Sequence, residues 1–435
     1  MKFLRSLLGR SSLRWLVPGL QVKRWLLLMV LGVVLLGLGL AFVLIDIYRD
    51  APLPSLFYYV TLQFLPRLLR AMLVGGAGVA LFLTGLYRFN ASLLGAVRGA
   101  DTQPVMDRLW QQRIAANGPR IGALGGGHGL AALLSGIKQH TANITAIVTV
   151  ADDGGSSGRL RRDLGMLPPG DFRMCISALA DNEALVTQLM QYRFSGGDGL
   201  AGHSFGNLFI AALAQITGSF EKAIVESSRV LSSQGRIMPS TLSDVVLCAE
   251  FRGAAVQARG ESSIGKQGLP IERVWLEPHD PPAFPEAVKA VLDADLIVIG
   301  PGSLWTSLMP NLLVRGLVDA LAQTSAQIVY VANITTERGE TDHFSLHDHI
   351  DAIERHIGLG IVDHMLVNDR VVTEFMPPSG VEIIDSRAPI SPRVNIVNAD
   401  LVSDATPWRH NSAKLAAAVM ALAKHEKATS RPDMA

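Results

Sequence analysis

The chain reads as an α/β protein: a Rossmann-like, three-layer parallel sheet with an inserted antiparallel hairpin, preceded by two transmembrane helices. Three observations predict this. From residue 120 onward, short Val/Ile-rich runs alternate with longer helical segments, the pattern of parallel strands covered on both faces. Two glycine-rich turns, GGGHG (Gly125 to Gly129) and DDGGSSG (Asp152 to Gly158), each follow an apolar run. The stretch from Trp25 to Ile45 carries no charge and reaches the ~20 residues that cross a bilayer as a helix.

Of the 435 residues, 49% are hydrophobic and 18% charged, and the apolar excess lies at the N-terminus. A second apolar stretch, Ala71 to Leu86, lies between Arg70 and Arg88. Two spans, at about 25–45 and 71–87, therefore form an anchor within residues 1–90. The first span exceeds the ~7–15 residues of a signal-peptide core, and no small-residue cleavage site follows it, so it is read as retained. Lys2, Arg5, Arg10, Arg14, Lys23 and Arg24 precede it without an acidic residue. The positive-inside rule puts that end in the cytoplasm, and two spans return the C-terminal domain there. The expected location is the cytoplasmic membrane, multi-pass. Residues 91–118 read as a linker, 119–426 as a nucleotide-binding domain and 427–435 as a tail. Cys175 and Cys248 lack a metal-ligand spacing and suit a reducing compartment. A net charge of +1 with no basic tract in the domain argues against a nucleic-acid partner.

Strands are predicted at Arg120–Leu124, Ile144–Ala151, Arg273–Leu276, Asp295–Ile299, Ile328–Ala332 and His364–Val367. VVLCAEF and GAAVQARGE, with Arg252 between them, read as the inserted hairpin. Helices are predicted at Gly129–Gln139, Ala178–Tyr192, Asn207–Thr217, Phe220–Ser232, Pro285–Leu292, Leu312–Gln323, Ser345–His356 and Ser412–His425.

The site candidates cluster at strand ends. Gly125, Gly126, Gly127 and Gly129 let backbone approach a phosphate where a helix begins, and His128 either faces the ligand or caps the helix. Asp153 meets a ribose hydroxyl or holds Mg²⁺. Gly154, Gly155, Ser156 and Ser157 form a second amide-rich loop, with Arg159, Arg161 and Arg162 as phosphate partners or a solvated face. Asp171, in PPGDFR, is placed to cap its helix. His203, Ser204 and Asn207, in GHSFGN, could line the pocket. Gly300, Gly302 and Ser303, in GPGSLWTS, follow the cleanest buried strand, and Asn333 ends the next. Glu340 and Thr341 face the same crevice. His343, His347 and His349 read as a polar helix face rather than a metal site.

Taken in order, GGGHG, VTVADDGGSSGRLR, PPGDFR, YRF, GHSFGN, ITGSFEKAI, ADLIVIGPGSLWTS, GET and PWRH resemble the 2-phospholactate transferase-like superfamily, the CofD/YvcK group. The resemblance runs from Arg120 to about Lys424 and is nearer the YvcK branch, the gluconeogenesis factors. For that branch it implies binding of UDP-sugars such as UDP-N-acetylglucosamine, room for a dinucleotide such as NAD(P), and a link to carbon-source-dependent cell-wall synthesis and cell shape, with cell-wall enzymes as partners. A homo-oligomer is expected. The transferase branch instead moves a phospholactyl group from a nucleotide-activated donor with Mg²⁺. By resemblance, Gly126, Gly127, Gly129, Gly302 and Ser303 hold phosphate. Asp153 sits where the transferase branch needs an acid, and Arg409 is a late basic contact to a nucleotide-sugar. The two spans depart from the family's soluble pattern.

Overall fold

The computed structural model describes residues 115, 117–180, 184–370, 377, 379–385 and 394–429, with scattered positions between 33 and 84. Two compact units divide the chain, Met1–Trp110 and Gln111–Ala435. In the first, described positions such as Val33, Val34 and Leu73 are helical and exposed. Among the described residues no helix is long and apolar enough to cross a membrane. Most of the two predicted spans, and of the 91–118 linker, lies outside the described residues.

The second unit is built on a seven-stranded parallel sheet. Its strands are β1 (Ile121–Gly125), β2 (Ile144–Val148), β3 (Arg236–Pro239), β7 (Leu296–Ile299), β8 (Gln327–Val331), β9 (His364–Asn368) and β10 (Asn395–Ala399). They lie in the order β10-β9-β8-β7-β1-β2-β3. All of its pairings are parallel, with Ile121 beside Ile144 on one flank and Leu296 on the other. Every residue of β1, β2 and β7 is buried, as their unbroken apolar runs require. The chain leaves β1 toward β2 and later leaves β7 toward β8, in opposite directions across the sheet. Right-handed crossovers therefore put the helices after β1 and β7 on opposite faces. On one face α1 (Gly127–Ile137) packs against Gly170–Leu179 and the C-terminal helix Ser412–Thr429. Elsewhere Pro285–Leu292 packs against Arg315–Gln323.

Three expectations need correction and one is extended. The predicted hairpin is present, β4 (Val246–Phe251) pairing antiparallel with β5 (Gln257–Arg259), and β6 (Ile271–Glu277) on the other side of β4 extends it to a three-stranded sheet in the order β5-β4-β6. Arg273–Leu276, predicted among the strands of the alternating pattern, lies in β6. Val274 and Leu276 are buried while Arg273, Trp275 and Glu277 are not, because one face alone is covered. The single helix predicted at 178–192 is two, Gly170–Leu179 and Ala184–Gln191, with Ala180 extended between them. The loop read in GGSSGRLRRDL is helix Gly155–Leu164, closed by Gly165 at φ +62°.

Gly136 of α1 carries the docking of the C-terminal helix. A Cβ there would lie 2.0 Å from the Ser412 carbonyl oxygen and 2.8 Å from the Ala416 Cβ. Gly136→Ala is expected to cost about 3 kcal/mol by overpacking, read as a lower urea midpoint of the full chain.

Candidate functional site

The sheet order reverses between β1 and β7, so the turns leaving these two strands diverge and open a crevice at their C-terminal ends. The turns touch at its floor. A Cβ on Gly129 would lie 2.3 Å from the Pro301 carbonyl oxygen, and one on Gly126 would lie 2.3 Å from Asp171 Oδ2. Only glycine lets these backbones meet. Buried Asn311 fixes the pair, donating from Nδ2 to the carbonyls of Gly125 at 3.1 Å and Ser307 at 2.9 Å.

Two helices start at this edge without a side-chain cap, α1 after Gly126 and Gly155–Leu164 after Gly154. Neither has an acidic residue in its first turn. Their first N–H groups give the crevice a positive partial charge. Arginines add to it. Burial lowers the His128 pKa, and the nearby charges of Arg409 and Arg173 lower it further. Burial likewise lowers the His203 pKa, helped by Arg159 and Arg193 and opposed by Asp163. Arg159 Nε is buried without a hydrogen-bond partner. Arg409 reaches the site because its loop is stapled down. Ser403 N–H donates to the Arg409 carbonyl at 3.0 Å, Val402 bridges to His410, and the His410 ring bonds to the Ala332 backbone at the end of β8.

Carboxyls stand at these same helix ends and beside them. Asp152 accepts the Gly154 N–H at 2.8 Å, and its pKa is raised by burial. Asp171 is pushed up to about 7, first by burial and then by Asp152, against the opposing hydrogen bond from the Gly127 N–H. Glu340 is raised by burial while accepting hydrogen bonds from the hydroxyls of Ser303 and Thr306. Glu337 is pushed up to about 7 by burial and by Glu340. Glu261 stands well above its usual range, first through burial and then through Asp152, Asp171 and Glu340. No sequence feature marked Glu261: it is a lone acid after the insert's second strand, and topology alone brings it here.

The predicted residues thus divide. Gly125, Gly126, Gly127, His128, Gly129, Gly154, Gly155, Gly300, Gly302 and Ser303 lie in or beside the turns of the crevice. Ser303 caps the turn Leu304–Leu308, and Asn333 Nδ2 ties the Gly302 carbonyl at 3.0 Å. Ser156, Ser157, His203 and Asn207 are buried in one network. Asn207 donates to Ser156 at 3.1 Å, Ser156 meets His203 Nδ1 at 3.0 Å, and Arg173 donates to Asn207 at 3.0 Å. Ser204 caps helix Phe205–Thr217. Asp153 accepts the Ser262 N–H at 2.8 Å through Oδ1, and its Oδ2 lies against Gly260, so the carboxylate clamps the insert to the strand end.

Three readings change. Asp171 does not cap its own helix, whose cap residue is Pro169, but accepts from α1. Arg161 is no phosphate partner: buried, it pairs with Asp244 through Nε at 2.7 Å. His349 is not on a polar face. It is buried, donates from Nδ1 to the Ser345 carbonyl at 2.8 Å and packs on Phe344, while His343 pairs with Glu382 at 2.9 Å. Among the described residues no three His, Cys, Asp or Glu side chains are grouped to hold a metal. An open hollow of about 430 Å³, lined by Arg120, Asn143 and Arg236 among others, lies at the opposite ends of β1, β2 and β3. There Arg120 pairs with Asp295 at 2.9 Å.

The family described as 2-phospho-L-lactate transferase CofD matches residues 121–386. A Nostoc sp. relative is 45% identical over 415 residues, covering 93% of this chain and 91% of its own. A Bacillus subtilis protein named gluconeogenesis factor is 47% identical over 256 residues, 59% of this chain and 80% of that one. The crystal structure of a UPF0052 family member from Bacillus halodurans superposes with a TM-score of 0.65 at 41% identity, covering 70% of this chain and 99% of that one.

The raised Asp171 carboxyl has a stability consequence. Its pKa is 3.8 in an unfolded chain and about 7 in the fold, so between these values the native state alone keeps the proton. The penalty is absent below pH ~4, grows as the pH rises to ~7 and is constant above. Asp171→Asn keeps an acceptor for Gly127 and removes the ionisation. The variant is expected to melt above the parent at pH 8, by a margin that shrinks to nothing near pH 4, in thermal unfolding at both values.

Proposed function

This chain belongs to the 2-phospho-L-lactate transferase CofD family, and from that premise we propose that its crevice binds a nucleotide-sugar of the UDP-N-acetylglucosamine type, as a regulator rather than a catalyst. One observation carries the reading: two helix N-termini without a cap from their own N-cap side chains open at the crevice, where the charges of Arg409 and Arg173 act on His128 and those of Arg159 and Arg193 on His203. Backbone N–H groups and guanidinium forks are matched to a diphosphate. Relatives named gluconeogenesis factor support the regulatory sense. In this reading residues 25–45 and 71–87 anchor the chain in the cytoplasmic membrane. The C-terminal domain then sits at the inner face beside cell-wall synthesis enzymes, reporting carbon supply to wall growth and cell shape. A dinucleotide such as NAD(P) competes for the same turns, and the working unit is a homo-oligomer.

A second reading, a Mg²⁺-dependent phospholactyl-type transferase, is favoured by the buried carboxyls. Mg²⁺ is often held by one or two carboxylates plus substrate phosphate. Asp152 and Asp171 suit that role better than Asp153, whose carboxylate is turned to the insert, accepting the Ser262 N–H through Oδ1 with Oδ2 packed close to Gly260. Bound there, the ion would supply charge neutralisation to a nucleotide's phosphates.

Calorimetric titration with UDP-N-acetylglucosamine, GDP and NADP, with and without Mg²⁺, separates the readings. Metal-independent binding of the UDP-sugar, with NADP competing for the same site, is expected; metal-dependent GDP binding would favour the transferase. Arg409→Ala is expected to weaken the UDP-sugar by about 1.5–3 kcal/mol, one hydrogen bond to a charged group, and an unchanged isotherm would remove Arg409 from the site.

A further inference from the structure

The nucleotide-sugar reading leaves the carboxyls without a task, and the insert offers one. Glu261 opens the short helix Glu261–Ile264, which the chain reaches from β5. Three contacts press this arm onto the crevice. Asp153 Oδ1 accepts the Ser262 N–H at 2.8 Å. Gly260 lies against Asp153 Oδ2, where a Cβ would come within 2.0 Å. Gly339, in the loop after β8, abuts Gly265, where a Cβ would lie 2.2 Å from the Gly265 carbonyl oxygen. The arm therefore spans from the end of β2 to the loop that carries Glu340.

Glu261 is partly buried, and its Oε2 is fully buried with no hydrogen-bond partner. A buried acceptor left unpaired in this way is destabilising. The charged groups that act on it, Asp152, Asp171, Glu340 and Asp153, are all carboxyls, and none of them donates to Oε2. The missing partner has a definable chemistry. A phosphate is repelled by these carboxyls and belongs with the arginines that act on His128 and His203. A neutral ring bearing several hydroxyls donates hydrogen bonds to carboxyl oxygens and adds no negative charge. We propose that Glu261, carried by the antiparallel insert, receives the sugar hydroxyls of the bound nucleotide-sugar and so distinguishes it from the bare nucleotide. This rests on the nucleotide-sugar reading and adds to it a sugar subsite and the residue that reads it.

The Glu261 side chain takes no part in the Asp153–Ser262 clamp, so it can be truncated with the arm in place. The test titrates the full-length parent, Glu261→Ala and Glu261→Gln with UDP-N-acetylglucosamine and with UDP. The expected result for Glu261→Ala is about tenfold weaker binding of the UDP-sugar, the scale of one lost hydrogen bond, with UDP affinity changed by less than about twofold. If Glu261→Ala fails to fold, Glu261→Gln, which keeps the shape, carries the same comparison through its smaller selective loss. Equal weakening of both ligands would place Glu261 at the nucleoside and overturn the proposal, as would no change for either. If the parent binds neither ligand, the nucleotide-sugar reading falls and the proposal with it. A parent that binds both ligands while the variants show no selective loss overturns the proposal alone.

Discussion

The contact between Gly129 and the Pro301 carbonyl is the constraint around which the site is arranged. Turns leaving β1 and β7 run to opposite faces of the sheet, and a crevice between them stays shallow unless their backbones meet at its floor. With a Cβ position only 2.3 Å from a carbonyl oxygen, Gly129 admits no side chain. The buried Asn311 amide then ties the β1 end to the turn after Ser303 through two carbonyls. With the floor closed, the first N–H groups of α1 face outward, and only a ligand, water or Asp171 can satisfy them. Asp171 takes one, the Gly127 N–H, and its own burial follows from that contact.

Both signs of charge meet at the crevice: arginines act on His128 and His203, and carboxyls stand at the helix ends and beside the insert. Each group alone would be costly: a buried carboxyl without a cation drives its own pKa upward, and a buried guanidinium nitrogen such as Arg159 Nε lacks an acceptor. A ligand with an anionic end and a hydroxylated end relieves both costs at once. A ligand that is anionic throughout relieves only one, unless a cation comes with it. The two functional readings differ in this respect, and the choice between them is a question of what neutralises the carboxyls.

Much of the architecture was legible because it rests on local signals. DLIVI and ITAIV are unbroken apolar runs, and such runs mean strands buried on both faces. GGGHG and GPGS follow them directly, which locates the crevice before any coordinates. β3 and β10 escaped notice for a matching reason. RIMP is four residues long with an exposed first residue, and NIVNA is polar and largely uncovered at the sheet edge. The helix Gly155–Leu164 was hidden by its glycines and serines, residues of low helix propensity that here sit in the first turn, where they leave N–H groups open. Long-range partners were not legible at all. That Asp153 would hold Ser262, or that Arg161 would be consumed by Asp244, depends on an insert more than eighty residues away in sequence.

The insert explains why one acid of the pair behaves differently from its neighbour. Asp152 and Asp153 are adjacent in the loop that follows β2, and their carboxyls take different partners. Asp152 turns toward Gly154 and Gly170, among the carboxyls of the crevice, whereas Asp153 turns outward to Ser262 and Gly260. The pair therefore divides the labour: one carboxyl contributes charge to the crevice, and the other fastens the arm that covers it. Loss of the Asp153 carboxylate would act on the crevice through Glu261, by freeing the arm, rather than through any direct contact with a ligand. A weakened affinity in an Asp153 variant is thus ambiguous by itself. Exchange protection of the Ser262 amide separates the two routes, since it is lost only when the clamp is broken.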